Sequence, residues 1–153
     1  MGAVAPFTEE ETGVLDLSPF HVFFLVAGAD GKIDQKEFES FVHGLMDRGA
    51  GSEDIVSAVF ANSGRYFDSY HQQARSAVVV GGAKASLKHI RVATDLLDDK
   101  LDGLDSLRFK RSLFKLGQRV AQASGGMLGM GGKVSAVEQA ALGSLSGILG
   151  VRE

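Results

Sequence analysis

Three acidic residues in the first third of the chain have the types and spacing of a cation site. Asp30, Asp34 and Glu37 lie within one glycine-containing loop and the first turn of the helix predicted to follow it. Carboxylates this close repel one another unless a lysine or a hard cation neutralises them, and hard cations prefer oxygen ligands. The spacing therefore predicts a site for a divalent cation, with Ca²⁺, Mg²⁺ and Zn²⁺ as candidates.

A weak internal repeat adds a fourth candidate ligand. Residues 31–37 are GKIDQKE and residues 132–138 are GKVSAVE, so both follow the pattern G-K-[IV]-[DS]-x-x-E at an offset of 101 residues. Each copy follows a loop of small residues and opens an apolar helix, which predicts two helix–loop–helix joints. A symmetric fold would bring the two joints together and place Glu138 near the first cluster.

A purely structural interpretation explains most of the same pattern. Asp34 with Glu37, and Ser135 with Glu138, have the spacing of capping boxes, in which the first side chain accepts the amide of the third helical residue and the glutamate reaches back. This interpretation needs no cation and accounts for every repeated residue, but it leaves Asp30 unexplained.

Other motifs with metal or catalytic associations are incomplete. An EF-hand aligned on Gly31 and Glu37 would place Val26 and Gly28 at the first and third ligand positions, where neither offers a side-chain oxygen. The chain contains no HExxH or GxSxG motif, and the glycine loop before Val134 lacks the hydroxyl residue of a phosphate loop. We therefore expect a protein that is not an enzyme.

An acidic run and a basic run follow one another in the second half of the chain. Asp98, Asp99 and Asp102 are predicted to lie at an exposed helix end, where they could bind a cation or face the basic run. The basic run spreads over one helical face and is a candidate contact for an anionic partner: Arg108, Lys110, Arg111, Lys115 and Arg119.

Helices are the elements that must position these residues. Ser18 followed by Pro19 favours a helix start, since serine caps helices and proline is tolerated at the first helical position. Further helix starts are predicted at Asp34 and at Ser52. The segment 65–82 is also predicted to be helical, although its three consecutive valines favour a strand.

Apolar periodicity continues this pattern to the end of the chain. Helices are predicted over 83–101 and 105–123, and a last helix follows the glycine loop 125–132. No strand alternation is present, so the sequence predicts an all-α fold with the phenylalanines in its core. We expect a single domain over residues 18–153, with residues 1–17 as an N-terminal extension.

Composition narrows the function classes. The 153 residues include no cysteine, which excludes disulfides, thiol nucleophiles and cysteine-ligated metals. A net charge of −3 gives no overall attraction for phosphate backbones, so nucleic acid is not an expected partner. The longest apolar stretches are too short to span a membrane, and we expect a cytoplasmic location.

The first joint resembles a known family signature. Residues 26–37, VAGADGKIDQKE, resemble the ADG-x-I-x-x-x-E signature of the TerB-like family of tellurite-resistance proteins. Residues 121–126 and 131–149 are similar to the second copy of that signature, which lies near the C-terminus in the family. The resemblance implies an all-helical bundle of about six to eight helices that carries acidic, cation-binding joints.

By position, the resemblance implies that Asp30, Asp34 and Glu37 are ligands of the first joint and Glu138 the ligand of the second. It also implies a bacterial stress response and a protein partner such as an inner-membrane-associated complex. The sequence leaves open whether the chain forms a homodimer. The second joint departs from the family pattern because Gly131 stands where an acid is expected. One weaker site is therefore expected rather than two. The remaining alternative is a metal-independent helical module that binds other proteins.

Overall fold

The fold was analysed in a computed structural model that describes residues 2–29, 31–126 and 134–152. Within these ranges the chain forms seven helices and no strand, which confirms the predicted all-α fold. The helices are α1 (Glu9–Ala27), α2 (Gln35–Ala50), α3 (Ile55–Arg65), α4 (Phe67–Gly81), α5 (Ala83–Lys100), α6 (Gly103–Gly126) and α7 (Ala136–Leu149).

The first helix begins earlier than the sequence predicted. Thr8 caps α1: its hydroxyl accepts the Glu11 amide at 3.1 Å, and the Glu11 carboxylate accepts the Thr8 amide at 2.9 Å. The predicted helix start at Ser18 is therefore wrong. Residues 9–17, which were assigned to an N-terminal extension, are continuous with the rest of α1.

Pro19 lies inside α1 and explains this error. A proline within a helix has no amide proton to donate to the carbonyl four residues earlier, which here is that of Leu15. The Ser18 hydroxyl instead donates a hydrogen bond of 2.7 Å to the Leu15 carbonyl oxygen. The serine therefore compensates for the proline within the helix and does not cap a helix start.

Helix α1 is the centre of the fold. All the residues from Ser18 to Ala27 are buried, and α1 packs against each of the other six helices of the described ranges. A helix surrounded in this way is apolar on every side. The predicted phenylalanine core is confirmed here, with the rings of Phe23 and Phe41 stacked at a centroid distance of 4.6 Å.

Helices α2 and α3 form a closely packed pair. A Cβ on Gly49 of α2 would lie 3.0 Å from the backbone nitrogen of Ala61 in α3, so a glycine is needed for this approach. The predicted start of this helix at Ser52 is wrong, because Asp54 caps α3 by accepting the Ser57 amide at 2.9 Å. Arg48 of α2 also pairs with Asp54 at 2.8 Å.

Helices α4 and α5 form a hairpin on one side of the bundle. The predicted helix over 65–82 is confirmed in its main part, since α4 contains all three valines at 78–80. Gly82 separates the helices with a φ of 67°, a left-handed conformation that glycine adopts without steric cost. The α4–α5 hairpin packs on α1 through residues such as Tyr70 and Ile90.

Candidate metal centre

The first joint is a complete capping box at the start of α2. The Oδ1 atom of Asp34 accepts the Glu37 amide at 2.8 Å, and the Oε1 atom of Glu37 accepts the Asp34 amide at 3.0 Å. Gly31 precedes it with a φ of 83° and supplies the turn. The predicted capping role of Asp34 and Glu37 is confirmed, and it occupies only one oxygen of the glutamate.

The second joint has the same form with one change. The Ser135 hydroxyl oxygen accepts the Glu138 amide at 3.2 Å, so the predicted helix start at Ser135 is confirmed. The same hydroxyl donates to the Oε1 atom of Glu138 at 2.9 Å. The glutamate therefore again has one oxygen engaged at the helix start, through the serine side chain.

The two glutamates meet in the interior of the fold. Glu37 and Glu138 are each only 1% exposed. Helices α2 and α7 have no backbone contact with one another in the described part of the chain, but both pack on α1 and α6. The side chain and the charge of Glu138 both raise the pKa of Glu37, so the two carboxyl groups are neighbours. The two carboxyl groups therefore lie close enough to influence each other's charge.

Each glutamate retains one buried oxygen without a partner. The Oε2 atoms of Glu37 and Glu138 are inaccessible to solvent and make no hydrogen bond within residues 2–29, 31–126 and 134–152. Burial raises the pKa of Glu37 to about 8, with further increases from the side chain of Glu138 and the charge of Asp34. A buried carboxylate pair of this kind needs either a shared proton or a cation, because two neighbouring negative charges are otherwise strongly unfavourable.

The predicted ligand set is only partly assembled. Glu37 and Glu138 are brought together, and half-buried Asp34 lies beside them in its capping role. Asp30 lies outside the described residues. Among the residues that are described, no group of three or more histidine or acidic side chains is arranged to hold a metal ion. The geometry therefore presents two carboxylates and not a complete coordination shell.

A third buried acid was not predicted from the sequence. Asp16 of α1 is fully buried, and its Oδ2 atom accepts a 2.6 Å hydrogen bond from the hydroxyl of Tyr70 in α4. Burial raises the pKa of Asp16 to about 6, and its Oδ1 atom has no hydrogen-bond partner among the residues that the structure describes. Asp16 and Tyr70 also line an open cleft of about 550 Å³ beside the start of α1.

Two of the four histidines, His21 and His89, form a packed pair. The rings of His21 and His89 stack at 4.3 Å, and the Nδ1 atom of His21 lies 3.0 Å from the Ser86 hydroxyl. Burial lowers the pKa of His21 to about 3 and also lowers that of His89, so both rings are neutral at physiological pH. His21 is itself only 3% exposed and belongs to the core.

The acidic and basic runs partly neutralise each other. Asp98 pairs with Lys110 at 2.6 Å, which confirms that an acid of the α5 end faces the basic run. Arg108 pairs with Asp105 of its own helix, and Arg119 pairs with Asp47 of α2. This leaves the basic run with fewer charges available to an anionic partner than the sequence suggested.

The comparisons with known proteins give no family assignment. No protein-family model, curated protein or solved structure matches the chain significantly. The TerB-like resemblance of the two joints therefore remains a prediction from their residues. No helix in the described ranges has the length and apolar character needed to cross a bilayer.

Proposed function

We propose that this chain is a non-catalytic, TerB-like helical protein that binds one divalent cation between the starts of α2 and α7. The two orphan Oε2 atoms of Glu37 and Glu138 are the observation that supports this most strongly. Each capping interaction holds its glutamate in place through Oε1, so the second oxygen of each is pre-positioned as a ligand. The proposed context is a cytoplasmic bacterial stress response of the tellurite-resistance type.

The donor chemistry favours a hard cation. The described residues of the two joints include four side chains with oxygen ligands and no histidine: Asp34, Glu37, Ser135 and Glu138. Ca²⁺ and Mg²⁺ take such ligands and complete their shells with water or backbone carbonyls, whereas structural Zn²⁺ sites favour histidine and cysteine. We therefore rank Ca²⁺ and Mg²⁺ above Zn²⁺, with Asp30 proposed as a further ligand.

The alternative is a metal-independent interaction module in which a proton joins the two glutamates. The raised pKa of Glu37 supports it, since a protonated Glu37 can donate to Glu138 at neutral pH without any ion. In that case the joints are purely structural, and the function resides in a protein-binding surface of the bundle.

Thermal unfolding in EDTA and in Ca²⁺, Mg²⁺ or Zn²⁺ distinguishes the two. A cation at a hundred times its dissociation constant, bound only to the folded state, adds about 2.7 kcal/mol to the free energy of unfolding. We expect this shift in the wild type and its loss in Glu37→Gln and in Glu138→Gln. Glu39→Gln is the matched control, because Glu39 is an exposed glutamate of the same helix.

Equal cation shifts in wild type and Glu37→Gln would exclude the proposed site, and the absence of any shift would favour the interaction module. The pH adds a second criterion. Both carboxylates must be ionised to bind a cation, so the cation shift should grow as the pH rises toward 8 and beyond.

The proposal that the protein is not an enzyme has a direct test. No nucleophile–base pair was found in the sequence, and we expect no turnover of simple esters or phosphoesters by the purified chain. Activity that copurifies with the protein and disappears in a variant such as Asp16→Asn would contradict this part of the proposal.

A further inference from the structure

The tip of the α4–α5 hairpin is exposed and apolar. From Arg75 to Lys84 every residue is exposed except Val78, which is half-buried, so this segment protrudes from the bundle. Val79 is 76% exposed and Val80 is 91% exposed, the two highest values among the large exposed hydrophobic residues. Exposure of apolar side chains to water is unfavourable, and a binding partner that covers this tip would remove the apolar surface from water.

The hairpin also carries basic side chains and no acidic ones over a long stretch of the chain. Between Asp68 and Asp95 the sequence contains four lysines and arginines and no aspartate or glutamate. The whole chain carries −3, so the residues outside this stretch carry a net −7. The four basic residues are all exposed, and none forms an ion pair or hydrogen bond with the described part of the chain: Arg75, Lys84, Lys88 and Arg91.

These basic residues flank the apolar tip. Lys84 and Lys88 are four residues apart on α5, and Val92, 44% exposed, is four residues further on the same face. Arg75 lies one turn before Val79 on α4. The surface thus has valines at its end and positive charges on both helices behind them.

We propose that the α4–α5 tip docks onto the surface of an anionic lipid bilayer. Valines at the end of the hairpin would enter the interface between headgroups and acyl chains, while Arg75, Lys84 and Lys88 would contact lipid phosphates. The positive charge on both helices favours an anionic surface, and it opposes docking onto a second copy of the same tip. The inference does not depend on the cation site.

Vesicle co-sedimentation tests this with two lipid compositions, phosphatidylcholine alone and phosphatidylcholine mixed with phosphatidylglycerol. We expect wild type to bind the anionic vesicles in a salt-sensitive manner and the neutral ones weakly. Val79→Asp/Val80→Asp should reduce anionic-vesicle binding by about tenfold or more, and Lys84→Gln/Lys88→Gln should reduce both binding and its salt dependence. Leu104→Asp, at another exposed apolar position, is the matched control and should bind like wild type.

Fluorescence gives an independent measurement of insertion. The chain has no tryptophan, so Val80→Trp and Leu104→Trp each carry a single reporter. We expect a blue shift with anionic vesicles for Val80→Trp alone. Three results would overturn the proposal: no binding by wild type, unchanged binding in Val79→Asp/Val80→Asp, or loss of a wild-type dimer in that variant without any vesicle binding.

Discussion

The buried glutamate pair predicts an unusual pH dependence for the cation-free protein. The folded chain holds a proton on Glu37 up to a pH of about 8, whereas the unfolded chain releases it near the ordinary pKa of 4.5. Between these values folding takes up a proton. The free energy of unfolding must therefore fall as the pH rises, by at most about 1.4 kcal/mol per pH unit.

The difference between wild type and a variant that lacks the Glu37 carboxyl isolates this effect. Asp16, with its pKa raised to about 6, and the unfolded histidines, with an ordinary pKa of 6.5, also titrate near this range, but they contribute equally to both proteins. From about pH 6.5 to pH 8.5 the two pKa values of Glu37 give a loss of about 2 kcal/mol. The assay is urea unfolding in EDTA across this range, followed by circular dichroism.

Glu37→Gln is the decisive variant. Its amide oxygen can still accept the Asp34 amide, while its NH₂ group can donate to the free oxygen of Glu138 without carrying a charge. We expect the variant to lose the contribution of about 2 kcal/mol from Glu37 between pH 6.5 and 8.5 and to be more stable than wild type at pH 8.5. If wild type and Glu37→Gln lose stability in parallel, the Glu37 titration is not the cause. Glu39→Gln, at an exposed position, should retain the wild-type slope.

Three further variants test other parts of the fold by urea unfolding. Tyr70→Phe removes the hydrogen bond to Asp16 and should cost about 1–3 kcal/mol, and a neutral result would contradict the buried pair. Gly49→Ala should destabilise by about 1–3 kcal/mol because α3 is too close, whereas Gly143→Ala, which has open space, should stabilise by about 0.8 kcal/mol. Thr8→Ala should cost about 1 kcal/mol, and no loss would argue against a cap at this position.

Local sequence signals predicted the fold class and the two joints well. Apolar periodicity and the caps Asp34 and Ser135 are properties of neighbouring residues, and the structure confirms both helix starts. The start of α1 was predicted wrongly because the dipeptide Ser18-Pro19 is compatible both with a helix start and with a proline inside a helix. The longer helix is favoured because α1 is buried on all sides, and this burial depends on the tertiary structure and not on neighbouring residues.

One part of the candidate site, the pair of glutamates, could also be predicted from the sequence. The internal repeat suggested that Glu37 and Glu138 would meet, since equivalent joints of a symmetric fold are neighbours. Nothing in the sequence indicated that Tyr70 would reach Asp16, which lies 54 residues earlier. An acid in a helix whose neighbours are all apolar is the only signal that could have drawn attention to it.

The separation of the two glutamates along the chain has a consequence for folding kinetics. Each cap forms within one helical turn, but the pair forms only when α7 docks onto α1 and α6, which closes a loop of 101 residues. Contacts that close so long a loop are absent from most early folding nuclei. Ionisation of the pair should therefore accelerate unfolding and leave the refolding rate nearly unchanged. The pH, or a bound cation, would therefore set the unfolding rate and with it the lifetime of the folded bundle.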